Sequence, residues 1–192
     1  LSKIYSAFTI KYFTVMKMFK EITVIGGAGH VGLAFALICA SKNIKVHIHD
    51  TNSKSIELIK KGVMPHKEKK SKKLLKKIIK KNHFSFSSSL EDIKISKINV
   101  VCLGTPVDEF LNPKHTIIIN LFNKIIKYFK SNQHIIIRST VSPGTTDFLF
   151  KFLKKNKKNI NLSFYPERFV QGFAIDEFNK FPQIMGSVDK KS

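Results

Sequence analysis

The segment Gly27-Ala28-Gly29-His30-Val31-Gly32 has the spacing G-x-G-x-x-G. That spacing suits a loop that holds a phosphate. Gly27 permits a tight turn, Gly29 lets backbone approach a pyrophosphate, and Gly32 allows a helix to pack closely on a strand. The unpaired N–H groups and positive dipole end at the start of such a helix attract phosphate. His30 and Val31 fall inside this segment and count as cofactor-binding positions, His30 as a rim residue without chemistry of its own. Asp50 follows 18 residues after Gly32. An acid there accepts hydrogen bonds from the adenosine ribose and repels a 2′-phosphate, which favours NAD over NADP. The alternative is a plain glycine turn with Asp50 capping a helix.

Three further positions carry reactive groups. Thr105 lies in Gly104-Thr105-Pro106, Thr140 in Ser139-Thr140, and Glu167 in Pro166-Glu167-Arg168. Each follows an apolar, β-branched run. In an open parallel sheet, ligands bind beyond the carboxyl ends of the strands. A threonine hydroxyl there can hold cofactor or substrate, and a carboxylate is a candidate general base. Singly, each has a plainer explanation: Thr140 as a cap, Glu167 paired with a lysine, Pro166 as a turn. No spacing of Cys, His, Asp or Glu suggests a metal, and none is expected.

The surrounding sequence must supply the elements that place these groups. Ile22–Ile25, Ile44–His49, Ile98–Gly104, His134–Thr140 and Ile160–Tyr165 read as strands, with His83–Ser89 a shorter one and Pro182–Gly186 beginning another. Between them, Val31–Ser41, Ser55–Lys61, Lys67–Lys81, Thr116–Lys130 and Thr145–Leu153 read as helices. Asn52 or Ser53 caps the second. In the fourth, Ile118, Phe122, Ile125 and Phe129 form one stripe. In the fifth, Phe148, Leu149, Phe152 and Leu153 are expected to face inward. Strands alternating with helices, without internal repeats, imply βαβ units with right-handed crossovers. The expected fold is α/β, a Rossmann-like, doubly wound and mostly parallel sheet.

A length of 192 residues with 43% apolar content suits one folded domain and excludes a disordered basic tail. The formal charge of +21 invites a nucleic-acid or anionic-membrane partner. Lys67–Lys81 alone holds nine lysines and one glutamate. Yet Arg138 and Arg168 are the only arginines, whereas base readout and RNA stacking favour arginine and exposed aromatics. No specific nucleic-acid partner is expected. No apolar run approaches the ~18–20 residues of a membrane span, so no membrane partner is expected either. Cys39 and Cys102 sit in apolar stretches and read as buried free thiols, consistent with a cytoplasmic location. Residues 1–17 carry lysines and no acid, and the natural start is expected at Met16 or Met18. They read as an extension that is not native or is disordered, ahead of an NAD-binding domain over residues 18–192.

The pieces VIGGAGHVGLAFAL, GVMPHKE, LGTPVDEFLNP, RSTVSPGTTD, YPERFVQGFAIDEF and FPQIMG run in order from about Ile22 to Gly186. Together they resemble the UDP-glucose/GDP-mannose dehydrogenase family. Pro-Glu-Arg, rather than Pro-Glu-Phe, points to its UDP-N-acetyl-D-mannosamine branch. The resemblance implies oxidation of a UDP-sugar 6-hydroxyl to a carboxylate in two hydride transfers to NAD, through a cysteine-bound intermediate. It implies that Glu167 assists hydrolysis and proton transfer and that Thr140 helps to order water. It also implies that Glu167, Arg168, Phe169, Val170, Gln171 and Gly172 line the sugar. Gln171 stands where the UDP-glucose branch has a second glutamate, so that role does not carry over. The family's catalytic cysteine, central dimerisation helix and UDP-binding domain have no counterpart before Ser192. The expectation is an NAD-binding domain that does not turn over alone, belonging to an enzyme that is a homo-oligomer at full length.

Three alternatives remain open at this point. One is another Rossmann dehydrogenase, of the 3-hydroxyacyl-CoA or 6-phosphogluconate type. Another is a non-catalytic basic polyanion-binding protein, and the third a nonfunctional truncated remnant. Titration with NAD and with DNA across a salt series separates the first two classes. NAD binding is expected to survive high salt, whereas DNA binding falls steeply as counterions compete for the phosphates. Salt-resistant DNA binding without NAD binding would overturn the dinucleotide reading.

Overall fold

The computed structural model describes residues 20–104, 116–178 and 180–187. The expectation for residues 1–17, and Thr105 with its motif, lie outside the described residues. Seven strands form one sheet: β1 (Glu21–Ile25), β2 (Lys45–His49), β3 (Phe84–Ser87), β4 (Ile98–Val101), β5 (His134–Ile137), β6 (Asn161–Phe164) and β7 (Gly186–Ser187). Their order is β3-β2-β1-β4-β5-β6-β7. All neighbours pair in parallel except β6 and β7, which are antiparallel. The register sets Val24 beside Ile48 on one side and beside Val100 on the other.

The central strands are apolar on both faces, as a parallel sheet covered on both sides requires. Ile22, Val24, Val46, Ile48 and Val100 pack beneath α1 (His30–Ser41), α2 (Ser53–Lys60) and α3 (Ser71–Lys80). Ile25, Val101, Ile135, Ile137 and Leu162 face α4 (Thr116–Ile125) and α5 (Thr145–Lys155). Helices on both faces make the sheet doubly wound, as the alternation of elements implied.

Several boundaries differ from the sequence expectation, for local reasons. The lysine-rich helix begins at Ser71 rather than Lys67, because Lys70 adopts a left-handed φ of 62° and the residues before it serve another purpose. Leu75 and Ile78 are its buried pair. The fourth helix changes to a 3₁₀ turn at Ile126–Tyr128, yet Ile118, Phe122, Ile125 and Phe129 are all buried as their spacing implied. In α5, Leu149 and Leu153 are buried at i and i+4, whereas Phe148 points outward and is 48% exposed. The 3₁₀ turn Leu90–Lys94 and the short helix α6 (Ala174–Glu177) had no clear periodic signal.

The join between β1 and α1 is the tightest place in the fold. Gly26 takes the left-handed conformation, φ 77°, that turns the chain out of the strand. The turn takes in Gly26, Gly27 and Ala28, with the left-handed residue at Gly26. Gly27 is confined for another reason: a Cβ there would lie 2.8 Å from Val24 O. At Gly32 a Cβ would lie 2.1 Å from Gly26 O, so α1 packs backbone against backbone on the loop.

Gly32→Ala is therefore expected to destabilise the protein by about 2–4 kcal/mol, a fall in Tm of roughly 5–15 °C. Gly104→Ala, where a Cβ meets nothing within 4 Å, is the control and should change stability little. Equal melting temperatures for Gly32→Ala and the wild type would show that the close approach is not a constraint.

Candidate functional site

The glycine loop is pinned from two sides. Gly26 and Gly27 donate their N–H groups to His49 O at 2.9 and 3.2 Å. Asp50, one residue further, accepts the Ala28 N–H on Oδ2 at 2.9 Å and the Asn52 N–H on Oδ1 at 2.9 Å. Asp50 thus reaches back to the loop and forward to the start of α2, whose N-cap is Asn52. Beside it opens a cavity of about 410 Å³. Ile25, Leu103, Ile117 and Leu121 supply apolar walls, and Asp50 stands among the residues that line it. Apolar walls with a carboxylate suit an adenosine, its base between aliphatic side chains and its ribose on the acid.

The ends of β4, β5 and β6 converge next to this loop. Leu103 donates its N–H to Ser139 Oγ at 2.8 Å, and Arg138 donates its N–H to Val101 O at 2.9 Å. Glu167 donates its N–H to Arg138 O at 3.3 Å. The structure therefore brings Ser139, Thr140 and Glu167 onto one rim, with Thr140 exposed. The partner of Glu167 is Arg138, not a lysine: Nη2 lies 3.3 Å from Glu167 Oε2. The other oxygen, Oε1, accepts the N–H groups of Arg168 at 3.1 Å and Phe169 at 2.9 Å.

Glu167, Phe169, Val170, Gln171 and Gly172 line a small cavity together with His30. Arg168 points elsewhere and donates Nη1–H to Pro182 O at 2.9 Å. A larger cleft of about 990 Å³ adjoins it, where Gln171 and Gly172 face His30, His66 and Glu68. One short segment builds both walls. His66 donates Nε2–H to Ala28 O at 2.9 Å and stacks on His30, ring centroids 3.7 Å apart. Glu68 accepts the Ile175 N–H on Oε1 at 3.1 Å, and Lys69 donates its N–H to Gly172 O at 2.8 Å. Asp176 pairs with Lys69 at 3.7 Å and Lys70 at 2.5 Å.

Burial, and then the neighbouring His66, hold the His30 imidazole below the ordinary histidine range, so it stays neutral at pH 7. Burial pushes the Glu68 carboxyl up, and the nearby acids Asp176, Glu167 and Glu177 add to this against the Ile175 hydrogen bond. Lys70 holds Asp176 below the usual carboxylate range. Both cysteines are buried, and burial pushes Cys39 up and Cys102 up to about 12. Neither supplies a thiolate near neutral pH. Among the described residues no cluster of three or more His, Cys, Asp or Glu could hold a metal, and no helix is long and apolar enough to cross a membrane.

A sheet in this strand order, a glycine turn leading into a buried helix and an acid at the end of the second strand define a Rossmann-type dinucleotide-binding domain of a dehydrogenase. The chain belongs to the UDP-glucose/GDP-mannose dehydrogenase family: the profile of that family's NAD binding domain matches residues 20–192. NAD is accordingly the cofactor of this domain. A UDP-N-acetyl-D-mannosamine dehydrogenase of Methanocaldococcus jannaschii is 32% identical over 176 residues, which are 90% of this chain and 40% of that protein. Among solved structures, an NDP-N-acetyl-D-galactosaminuronic acid dehydrogenase of Methanosarcina mazei Go1 matches with a TM-score of 0.81 at 25% identity, over 94% of this chain and 41% of that one. A GDP-mannose dehydrogenase of Pseudomonas aeruginosa has the same fold, with a TM-score of 0.81 at 24% identity, over 88% of this chain and 41% of that one. The chain thus spans about two fifths of the length of these relatives.

Reading the residues singly did not find His66, Glu68 or Arg138. His66 and Glu68 lie in the GVMPHKE piece, whose spacing by itself suggests no chemistry. Arg138 had a compositional signal, as one of two arginines in a chain whose other basic residues are lysines and histidines.

The raised Glu68 carboxyl gives a pH test. A folded-state pKa above the unfolded value of about 4.3 contributes stability below that pH, and the contribution is lost as pH rises through the folded value. Glu68→Gln keeps an oxygen acceptor for Ile175 N–H without the charge. The Tm of Glu68→Gln relative to wild type is expected to increase from pH 4 to pH 7. A difference that is flat or falls over that range would contradict the assigned direction.

Proposed function

We propose that this chain is the NAD-binding domain of a nucleotide-sugar 6-dehydrogenase that oxidises a UDP-N-acetylhexosamine, UDP-N-acetylmannosamine foremost, to its uronate. The observation that carries the reading is the placement of Glu167. A carboxylate fixed by three donors stands at the end of β6, lining one cavity with His30 of the glycine loop. The 32% identity to the Methanocaldococcus UDP-N-acetyl-D-mannosamine dehydrogenase and the Pro166-Glu167-Arg168 sequence support the N-acetylhexosamine substrate class.

The residues divide the work by position. Gly27, Gly29, His30, Val31 and Gly32 present the start of α1 to the pyrophosphate, with positive dipole and free N–H groups. Asp50 takes the ribose hydroxyls with the lone pairs left after Ala28 and Asn52, and disfavours a 2′-phosphate. When bound, NAD accepts hydride from the sugar carbon. Thr140, exposed beside the end of β5, orders the water, and Thr105 is assigned to the cofactor by its place in the Gly104-Thr105-Pro106 motif. Glu167 holds or moves the proton at its carboxylate oxygens during the hydrolytic step. Phe169, Val170, Gln171 and Gly172 carry the wall that faces the sugar, and Arg168 contributes through its backbone N–H to Glu167.

Covalent capture of the sugar aldehyde needs a reactive thiolate. Cys39 and Cys102 are inside the core with raised thiol pKa values and are not that group. Dehydrogenation therefore requires a cysteine supplied from outside these 192 residues, and the working enzyme is a larger homo-oligomer.

Two measurements test this reading. NADH fluorescence titration should show binding that weakens by about tenfold or more in Asp50→Ala, the loss of a charge-assisted hydrogen bond. The 192-residue chain mixed with NAD and UDP-N-acetylmannosamine should form no NADH. Undiminished NADH affinity in Asp50→Ala would remove the ribose role, and turnover by this chain would refute the need for an outside cysteine.

A further inference from the structure

The two arginines of this lysine-rich chain flank Glu167, and Arg138 is the more unusual. Its side chain is completely buried. The guanidinium carbon lies 4.5 Å from the ring centroid of Phe35, 4.4 Å from that of Tyr165 and 5.3 Å from that of Phe169. Its only ion-pair partner among the described residues is Glu167, at 3.3 Å. Nε and Nη1 have no hydrogen-bond partner among the described residues.

As a stabilising device this arrangement is poor. Buried donors without acceptors are destabilising, and apolar side chains of similar volume commonly serve a core as well or better. What the arrangement delivers is orientation. Three rings surround the guanidinium, the Tyr165 hydroxyl interacts with it as well, and Nη2 donates to Glu167. The carboxylate that receives it is also fixed on its other oxygen by the Arg168 and Phe169 N–H groups, and its residue is tied to β5 through Arg138 O. Phe169 takes part twice, as a wall of the cage and as a donor to Glu167. A lysine in this place would bring charge without the planar fork.

We propose that Arg138 is the positioning residue of Glu167: the aromatic cage of Phe35, Tyr165 and Phe169 fixes the guanidinium, and the guanidinium fixes the carboxylate. The inference rests on Glu167 being the proton-handling carboxylate of the site. It explains why arginine is kept at 138 where lysine serves at so many other positions. It also assigns Phe35, on the far helix α1, a part in aiming a group at the end of β6.

The test is by NMR on the 192-residue chain, independent of turnover. The Arg168 amide, which donates to Glu167 Oε1, reports the carboxylate position. In Arg138→Met its resonance is expected to move and its exchange with solvent to quicken by about tenfold, as for loss of a hydrogen bond to a charged acceptor. Glu167→Gln should produce a similar change, and the double variant should add little to either alone. Arg138→Lys should recover part of the protection. A folded Arg138→Met with an unmoved Arg168 amide, or a double variant whose effects add in full, overturns the proposal. If Arg138→Met does not fold, Glu167→Gln decides: release of the Arg138 Nη2–H groups, the donors to Glu167, from protection supports the pairing, and unchanged protection overturns it. Loss of NADH binding by the wild type would instead strike at the dinucleotide reading and leave these resonances unaffected as a measure.

Discussion

The contact between the Gly32 backbone and the Gly26 carbonyl governs the whole arrangement. It brings α1 down onto the turn that leaves β1, so the start of the helix opens directly over the ends of the central strands. A side chain at Gly32 would collide with the Gly26 carbonyl and push the helix off the turn, and one at Gly26 would collide with Cys102 O just past β4. Asp50 reinforces the same geometry from β2 by holding Ala28 N–H. The cavity beside Asp50 on one side and the Glu167 rim on the other flank this one approach of backbone to backbone.

A second layer of support comes from the stretch between α2 and α3. His66 grips the glycine loop through Ala28 O and covers His30, while Glu68 and Lys69 grip the segment that follows β6. The phosphate loop and the Gln171–Gly172 wall are therefore braced by the same few residues. Asp176 closes the brace with two lysines. Such a link makes the position of the wall depend on the loop without either touching a ligand.

The sheet and its helices were legible because their signals are local and periodic. β-branched runs end in Gly, Asp, Ser or Pro, and the stripe Ile118, Phe122, Ile125, Phe129 announces its buried face. The glycine loop and Asp50 were legible because a fixed chemistry demands a fixed spacing. Errors arose where a long-range contact overrides a local preference. Residues 67–70 look helical, yet Glu68 and Lys69 are drawn to the chain more than a hundred residues later, and Lys70 takes a left-handed turn. Phe148 reads as core, but the inward stripe of α5 is narrow and Leu149 and Leu153 fill it. The surroundings of Arg138 were invisible, because Phe35, Tyr165 and Phe169 meet around it only once β5, β6 and α1 are in place.

The near-total burial of α1 has a consequence for how the chain reaches this state. Every residue from Gly32 to Ala40 is buried, so the helix has no solvated face. In isolation it would gain nothing from an amphipathic surface and would expose Phe35, Leu37 and Ile38 to water. It becomes favourable only when the sheet lies beneath it and α3 and α6 lie beside it. β1 pairs with the nearby β2 on one side but with β4 on the other, where Thr23 meets Asn99 from far along the chain. Contacts of such sequence separation form late and together. The glycine loop therefore depends on contacts far along the chain as well as near ones, and dinucleotide binding belongs to the packed domain.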